Sequence, residues 1–265
     1  ITPGRRADLI LSSDLTTLPI ELVIAHGQVM AENGKLVVEL PKFTYPKFAR
    51  NTVHVGRTLG AKDFEIAAPK GANKVEARVI GVIENQAPTK ALQRPLVVKS
   101  GLVEMDHAND VCQIAVVERH RGLGTVVNAF VSGFGYNVEC AVASTVAHDS
   151  HHIIVVGTNH DDMALAANTL SEIGGGVVVV SNGRELARVE LVVAGLMSNE
   201  PAEIVAAKAE KMIAAMKACG CNLNNAFMQH SLLALVVIPE LRISDMGLID
   251  VRTFEKVDLF VQSSR

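Results

Sequence analysis

Apolar and polar positions alternate in short blocks along the first part of the chain. Ala7–Leu11, Leu22–Ala25 and Lys35–Leu40 are strand-like runs, separated by turns at Gly27 and Asn33-Gly34. Asn-Gly accepts positive φ at both positions, so it predicts a hairpin between apolar strands. Residues 7–40 are therefore expected to form short strands. The stretch PKFTYPKFAR, 41–50, carries two prolines and reads as a linker packed against a surface.

A second unit starts near Val53. KVEARVIGVIE (74–84), PLVVKSGLVEM (95–105) and VCQIAVVER (111–119) are Val/Ile-rich and predict strands. GLGTVVNAFVSGFG (122–135) is punctuated by glycine and fits a strand, a turn or the approach to a ligand. IIVVG (153–157) is apolar on both faces and predicts a buried strand. TNHDDMALAANTLSEIGGG (158–176) predicts a helix, with Thr158 or Asn159 as N-cap. Its buried face is expected at Met163, Leu165–Ala167, Leu170 and Ile173, and Gly174–Gly176 would stop it. VVVV (177–180) turns at Ser181-Asn182-Gly183 into LARVELVVAG. Residues 198–220 predict the longest helix, capped by Ser198 and ended by Gly220, with Ile204, Val205, Met212, Ile213 and Met216 on one face. The tail, 231–251, reads as a helix or strand and then an irregular segment after Pro239, with Glu240, Arg242 and Asp245 as surface or interface charges. This order of elements predicts an α/β (α+β) fold: a mixed β-sheet with packed helices.

Composition narrows the function classes. Hydrophobic residues make up 49%, Trp is absent and the formal net charge is −3. No long run of one charge favours nucleic acid or an anionic membrane. No apolar run approaches the ~20 residues of a membrane span, and no secretory signal is visible. Cys112, Cys140, Cys219 and Cys221 have no zinc-knuckle spacing and are expected to be free thiols in a reducing compartment. The opening, ITPGRRADLILSSDL, reads as an internal start, so the chain is expected to be a piece of something larger.

The chemistry concentrates in ASTVAHDSHHIIVVGTNHDD, 143–162, which holds four of the nine histidines. His148, Asp149, His151 and His152 precede the buried strand. Imidazole and carboxylate suit a divalent metal, and His148, Asp149 and His151 are the metal-ligand candidates. Asp149 is alternatively an orienting carboxylate for His151, and the group as a whole alternatively caps the turn. Arg119 and His120, at a strand end before Gly122 and Gly124, would bind an anion, orient the histidine loop or lie solvated. The glycines form no dinucleotide fingerprint.

In order, these pieces resemble a known family. GFGYNVECAVASTVAHDSHHIIVVGTNHDDMALAANTLSEIGGG is similar to the long block in the C-terminal region of bacterial adenine deaminases, and GLMSNEPAEIV and HSLLALVVIPELRISDMGLIDV to that family's last two motifs. ITPGRRADLIL and VIAHGQVMAENGKL resemble the segment closing the small β-sandwich domain of metal-dependent amidohydrolases. Cys140, His152 and Val236 depart from the usual family residues. The resemblance implies a cytoplasmic hydrolase of purine metabolism, homo-oligomeric, that converts adenine to hypoxanthine and ammonia. It would use a divalent metal (Mn or Fe) held mainly in a (β/α)₈ barrel. No His-x-His and no eight strand–helix repeats are present, so the barrel would be missing. Residues 1–42 would be a β-sandwich remnant and 43–265 the family's C-terminal domain. His148, Asp149, His151, His152, Arg119 and His120 would then bind substrate or line the active-site entrance. The alternative is a non-catalytic interface, or a small-ligand or metal-binding domain.

Overall fold

A computed structural model describes residues 2–41 and 43–261. The chain divides into two compact units, Ile1–Thr44 and Tyr45–Arg265.

In the first unit β1 (Leu9–Leu11), β2 (Leu22–Ala25), β3 (Gln28–Glu32) and β4 (Lys35–Leu36) form one antiparallel sheet in chain order. Two tight hairpins set its register. His26-Gly27 and Asn33-Gly34 all take positive φ, which the right-handed strand twist requires of two-residue loops. None of this unit's described residues is buried, although Ile10, Leu15, Leu36 and Leu40 are all large and apolar.

The second unit is built on a nine-stranded sheet. Its strands are β5 (Lys74–Val82), β6 (Thr89–Lys99), β7 (Leu102–Val103), β8 (Val111–Val117), β9 (Val126–Ser132), β10 (Cys140–Ser144), β11 (Ile153–Gly157), β12 (Gly176–Ser181) and β13 (Arg184–Glu190). The spatial order is β13-β12-β10-β11-β8-β9-β5-β6-β7. Every pairing is antiparallel except β5 with β9, so the sheet is mixed as expected.

The centre of this sheet is covered on both faces. Ala115, Val117, Ala141, Ala143, Ile153, Val155, Val178 and Val180 pack with α1 (His160–Ile173) and with Val53, Val55, Leu59 and Phe64. The intervening residues, among them Ile114, Val116, Val142, Ile154, Val156, Val177 and Val179, face the other layer. That layer contains α2 (Ala202–Ala218), α3 (Ala226–Leu232) and a small antiparallel sheet of β14 (Leu241–Ser244), β15 (Gly247–Asp250) and β16 (Glu255–Val257). Period-two alternation thus sends apolar side chains into two cores at once, which is why these strands read as continuous apolar runs. Among the described residues no helix is long and apolar enough to cross a membrane.

Helix α1 begins as its sequence requires. Asn159 Oδ1 accepts the Asp162 N–H at 2.8 Å, and Gly174 ends the helix in the left-handed region at φ 82°. The buried Asp162 carboxylate accepts N–H bonds from Asn182 (2.9 Å) and Gly183 (2.7 Å), tying the helix start to the β12–β13 turn.

Several expectations are corrected. Ser198 does not cap α2: its hydroxyl accepts the Glu200 N–H, and the helix starts after Pro201. The buried face of α2 is Met212, Ala215 and Met216, whereas Ile204 and Ile213 are exposed. Leu165 is exposed on α1. The segment after Pro239 is not irregular but forms the β14–β15 hairpin. Arg242 is no surface charge. It is buried and donates to the carbonyls of Ile238 (2.8 Å), Leu232 (2.8 Å) and Ala87. The four cysteines are free and buried.

His230 of α3 is wholly buried, and its Nε2 lies 3.1 Å from the Val142 carbonyl. A carbonyl only accepts, so Nε2 carries the proton and Nδ1 is left without a partner. Burial pulls this imidazole from 6.5 down to about 4. The unfolded chain therefore takes up a proton here before the native one does, and stability present at neutral pH is lost as pH falls from 6.5 towards 4. The loss is on the order of 3 kcal/mol. Urea unfolding at neutral pH and near pH 4 should show a smaller difference for His230→Gln than for the parent chain. In the same assay, Asp162→Ala should cost about 2–3 kcal/mol by stranding the two turn N–H groups.

Candidate functional site

Strand register brings the two polar segments of the sequence together. Ile153 of β11 pairs with Val117 of β8. The residues just before Ile153 and just after Val117 therefore leave the sheet side by side, at the same end. Both strands are buried throughout, so polar side chains collect where the backbone leaves the core.

Arg119 is the framework of this end. It is 1% exposed and meets no carboxylate within ion-pair distance among the described residues. Its guanidinium donates instead to three backbone carbonyls: Nε to His151, Nη1 to Thr52 (3.0 Å) and Nη2 to Ala194 (3.2 Å). Burial lowers its pKa to about 10, which leaves it protonated at neutral pH. Arg119 thus holds the histidine loop at the His151 carbonyl, and its buried side chain is not a solvated strand end. Next to it, burial works against the charge of Glu118, but the N–H groups of Leu123 (3.1 Å), Arg121 (2.8 Å) and His120 (2.6 Å) prevail and hold the carboxyl below its usual range.

The imidazoles form two pairs. His148 and His151 meet edge-to-face with ring centroids 5.2 Å apart. His151 takes a left-handed φ of 51°, and its Nδ1 accepts the Ala147 N–H at 3.2 Å, so its neutral ring carries the proton on Nε2. The His148 N–H donates to the Ser231 carbonyl at 3.0 Å and ties the loop to α3. His120 and His152 form the second pair, tilted at 54° with centroids 4.8 Å apart. The exposed His120 ring donates from Nε2 to the Ser150 carbonyl at 2.7 Å. His152 is buried, its Nδ1 has no partner, and its Nε2 lies 3.6 Å from Asp245 Oδ2. Burial lowers both His151 and His152, so both rings are neutral at neutral pH.

Asp149 makes no described hydrogen bond to an imidazole. The carboxylate that faces one is Asp245, an exposed charge in the β14–β15 turn. Only the tertiary fold brings residues 152 and 245 together. Asp149 and Asp245 both line an open cavity of about 500 Å³, with Ser244, Met246, Ile249 and Phe254 among its walls.

The residues present do not fit a metal centre of their own. Among the described residues no three His, Cys, Asp or Glu side chains are placed to share an ion. His151 Nδ1 is occupied by a backbone N–H, and Asp149 lines the cavity. The arrangement offers two neutral imidazoles, His151 and His152, two carboxylates and a loop whose backbone Arg119 holds.

If Arg119 is framework, its loss should act on the fold. Arg119→Met should cost about 2–4 kcal/mol, because three partly buried carbonyls lose their donor. Thermal melting should show a much smaller change for His120→Ala, whose ring is exposed.

Comparison with known proteins now bears on this geometry. Residues 86–255 match the family model described as the adenine deaminase C-terminal domain. An adenine deaminase of Ruegeria pomeroyi is 69% identical over 97% of this chain and 43% of its own length. Adenine deaminase 3 of Rhizobium meliloti is 66% identical over 99% of the chain and 44% of its own. One from Moorella thermoacetica is 44% identical over 98% of the chain and 43% of its own. The chain thus spans less than half the length of the curated relatives it matches. With a family model matched across most of the nine-stranded unit, the chain belongs to the adenine deaminase C-terminal domain family.

Proposed function

We propose that this chain is the C-terminal part of an adenine deaminase, a hydrolase of purine metabolism. Joined to a metal-binding amidohydrolase barrel, it would serve the conversion of adenine to hypoxanthine and ammonia. The observation that carries this reading is the 66–69% identity to adenine deaminases over 97–99% of the chain.

In this reading the divalent metal, Mn or Fe, is held by residues outside this chain, since the polar cluster here does not fit one. The metal supplies an activated water when bound. This chain's own part is to shape the entrance. Arg119 fixes the loop backbone, and His148, Asp149, His151, His152 and His120 present polar groups at one end of a rigid sheet, where functional loops tend to sit. The first unit, with its apolar sheet and no buried described residue, suits a piece of a sandwich whose other strands come from elsewhere. Residues 1–42 would be that piece and 43–265 the domain proper. Free buried cysteines suit the cytoplasm, and a homo-oligomer would cover exposed apolar residues such as Ile204 and Ile213. The non-catalytic reading of this chain by itself is favoured by the use of Arg119 and Glu118 for backbone support rather than chemistry.

An ammonia-release assay with adenine and added Mn tests the division of labour. The full-length protein should turn over and this chain should not. Turnover by the chain alone would overturn the division, and an inactive full-length protein would overturn the activity itself. In the full-length protein, His148→Ala and His120→Ala should each lower kcat/KM by about tenfold with little change in Tm. A fall in Tm with kcat/KM unchanged would instead assign the imidazoles to the fold.

A further inference from the structure

The cavity beside the histidine loop has a character of its own. Its volume of about 500 Å³ lies within the range of small-molecule sites, roughly 300–1,000 Å³. Its walls are mostly apolar, Ile249, Met246 and Phe254 among them. Its charged groups are Asp149 and Asp245, which come from separate elements: the β10–β11 loop and the β14–β15 turn. Among the described residues no Lys or Arg lines it, and neither carboxylate has a Lys or Arg partner. The basic groups near them are imidazoles: His152 lies 3.6 Å from Asp245, and the charge of Asp149 acts on the His151 ring.

We propose that this cavity is a binding site for a flat organic cation, of the class of aromatic amidines and protonated aromatic amines. Two carboxylates without a Lys or Arg partner repel anions and reward a ligand that brings positive charge and N–H donors. The apolar walls reward a hydrocarbon body, which a simple inorganic cation lacks. Phe254 and Met246 both line the cavity and are 70% and 72% exposed, so a flat apolar ring bound there would cover apolar surface that now faces water. The Phe254 ring adds attraction for a delocalised cation on its face. Ser244 is a further hydrogen-bonding group on the cavity wall. The inference does not rest on the deaminase reading, because it uses a cavity in this chain and a ligand class that adenine, neutral at physiological pH, does not belong to.

Benzamidine is the probe, titrated into this chain by calorimetry, with neutral benzamide as its isostere. Benzamidine should bind saturably at one site, and benzamide at least about tenfold more weakly. Asp149→Asn and Asp245→Asn should each weaken benzamidine by about tenfold. Both residues lack described hydrogen bonds that support the fold, so Tm should hold. No saturation, equal binding of benzamide, or unchanged binding in the double variant would overturn the proposal. So would self-association of the chain that these substitutions abolish while benzamidine fails to bind. That result would make the occupant a basic side chain of a second copy.

Discussion

Burial of the central sheet on both faces is the constraint from which the rest follows. Antiparallel sheets commonly give one face to water. Here β8, β10, β11 and most of β12 place alternate side chains into two separate cores, and no residue of the first three strands is solvent-facing. Polar groups cannot be accommodated along such strands without a partner. They are expelled to the ends, and the polar cluster is the set of residues expelled at one end. The position of the candidate site is thus a by-product of core packing before it is a matter of chemistry.

That location has an energetic cost, and the charged residues around it offset it. A loop that leaves a doubly buried sheet exposes carbonyls near the core, and Arg119 collects three of them from three parts of the chain. Arg242 does the same for the chain around α3 and the β14 hairpin. Glu118 serves the complementary purpose, gathering N–H groups. Charges that look functional in a linear reading therefore work as multi-pronged connectors for an irregular backbone. The groups left over, two imidazole pairs and two carboxylates around a cavity, are those available for recognition.

The parts of this architecture governed by neighbours in sequence were legible from it. Asn33-Gly34 and Asn182-Gly183 are two-residue turns because local φ decides them. Asn159 and Gly174 bound α1 because caps are local hydrogen bonds. IIVVG is buried because both its faces are apolar. What escaped the reading depends on distant partners. Ser198 has the right chemistry for a cap, but Pro201 delays the helix. Arg242 sits among charges in sequence, yet folding surrounds it with carbonyls from residues 87, 232 and 238. The 152–245 contact joins segments nearly a hundred positions apart, and no local pattern encodes it.

The strand order also carries a consequence for assembly. The nine strands resolve into four chain-local pieces: β5-β6-β7, β8-β9, β10-β11 and β12-β13. Each piece is closed by turns or short loops, at small loop-closure cost. Three seams join them, β9 to β5, β11 to β8 and β12 to β10, and the first is the lone parallel pairing. The seams carry the larger entropic cost and the slower search. The histidine loop lies inside one piece, while its Arg119 clamp reaches across a seam. The loop's bond to Arg119 therefore forms only once the two hairpins on either side of that seam have met.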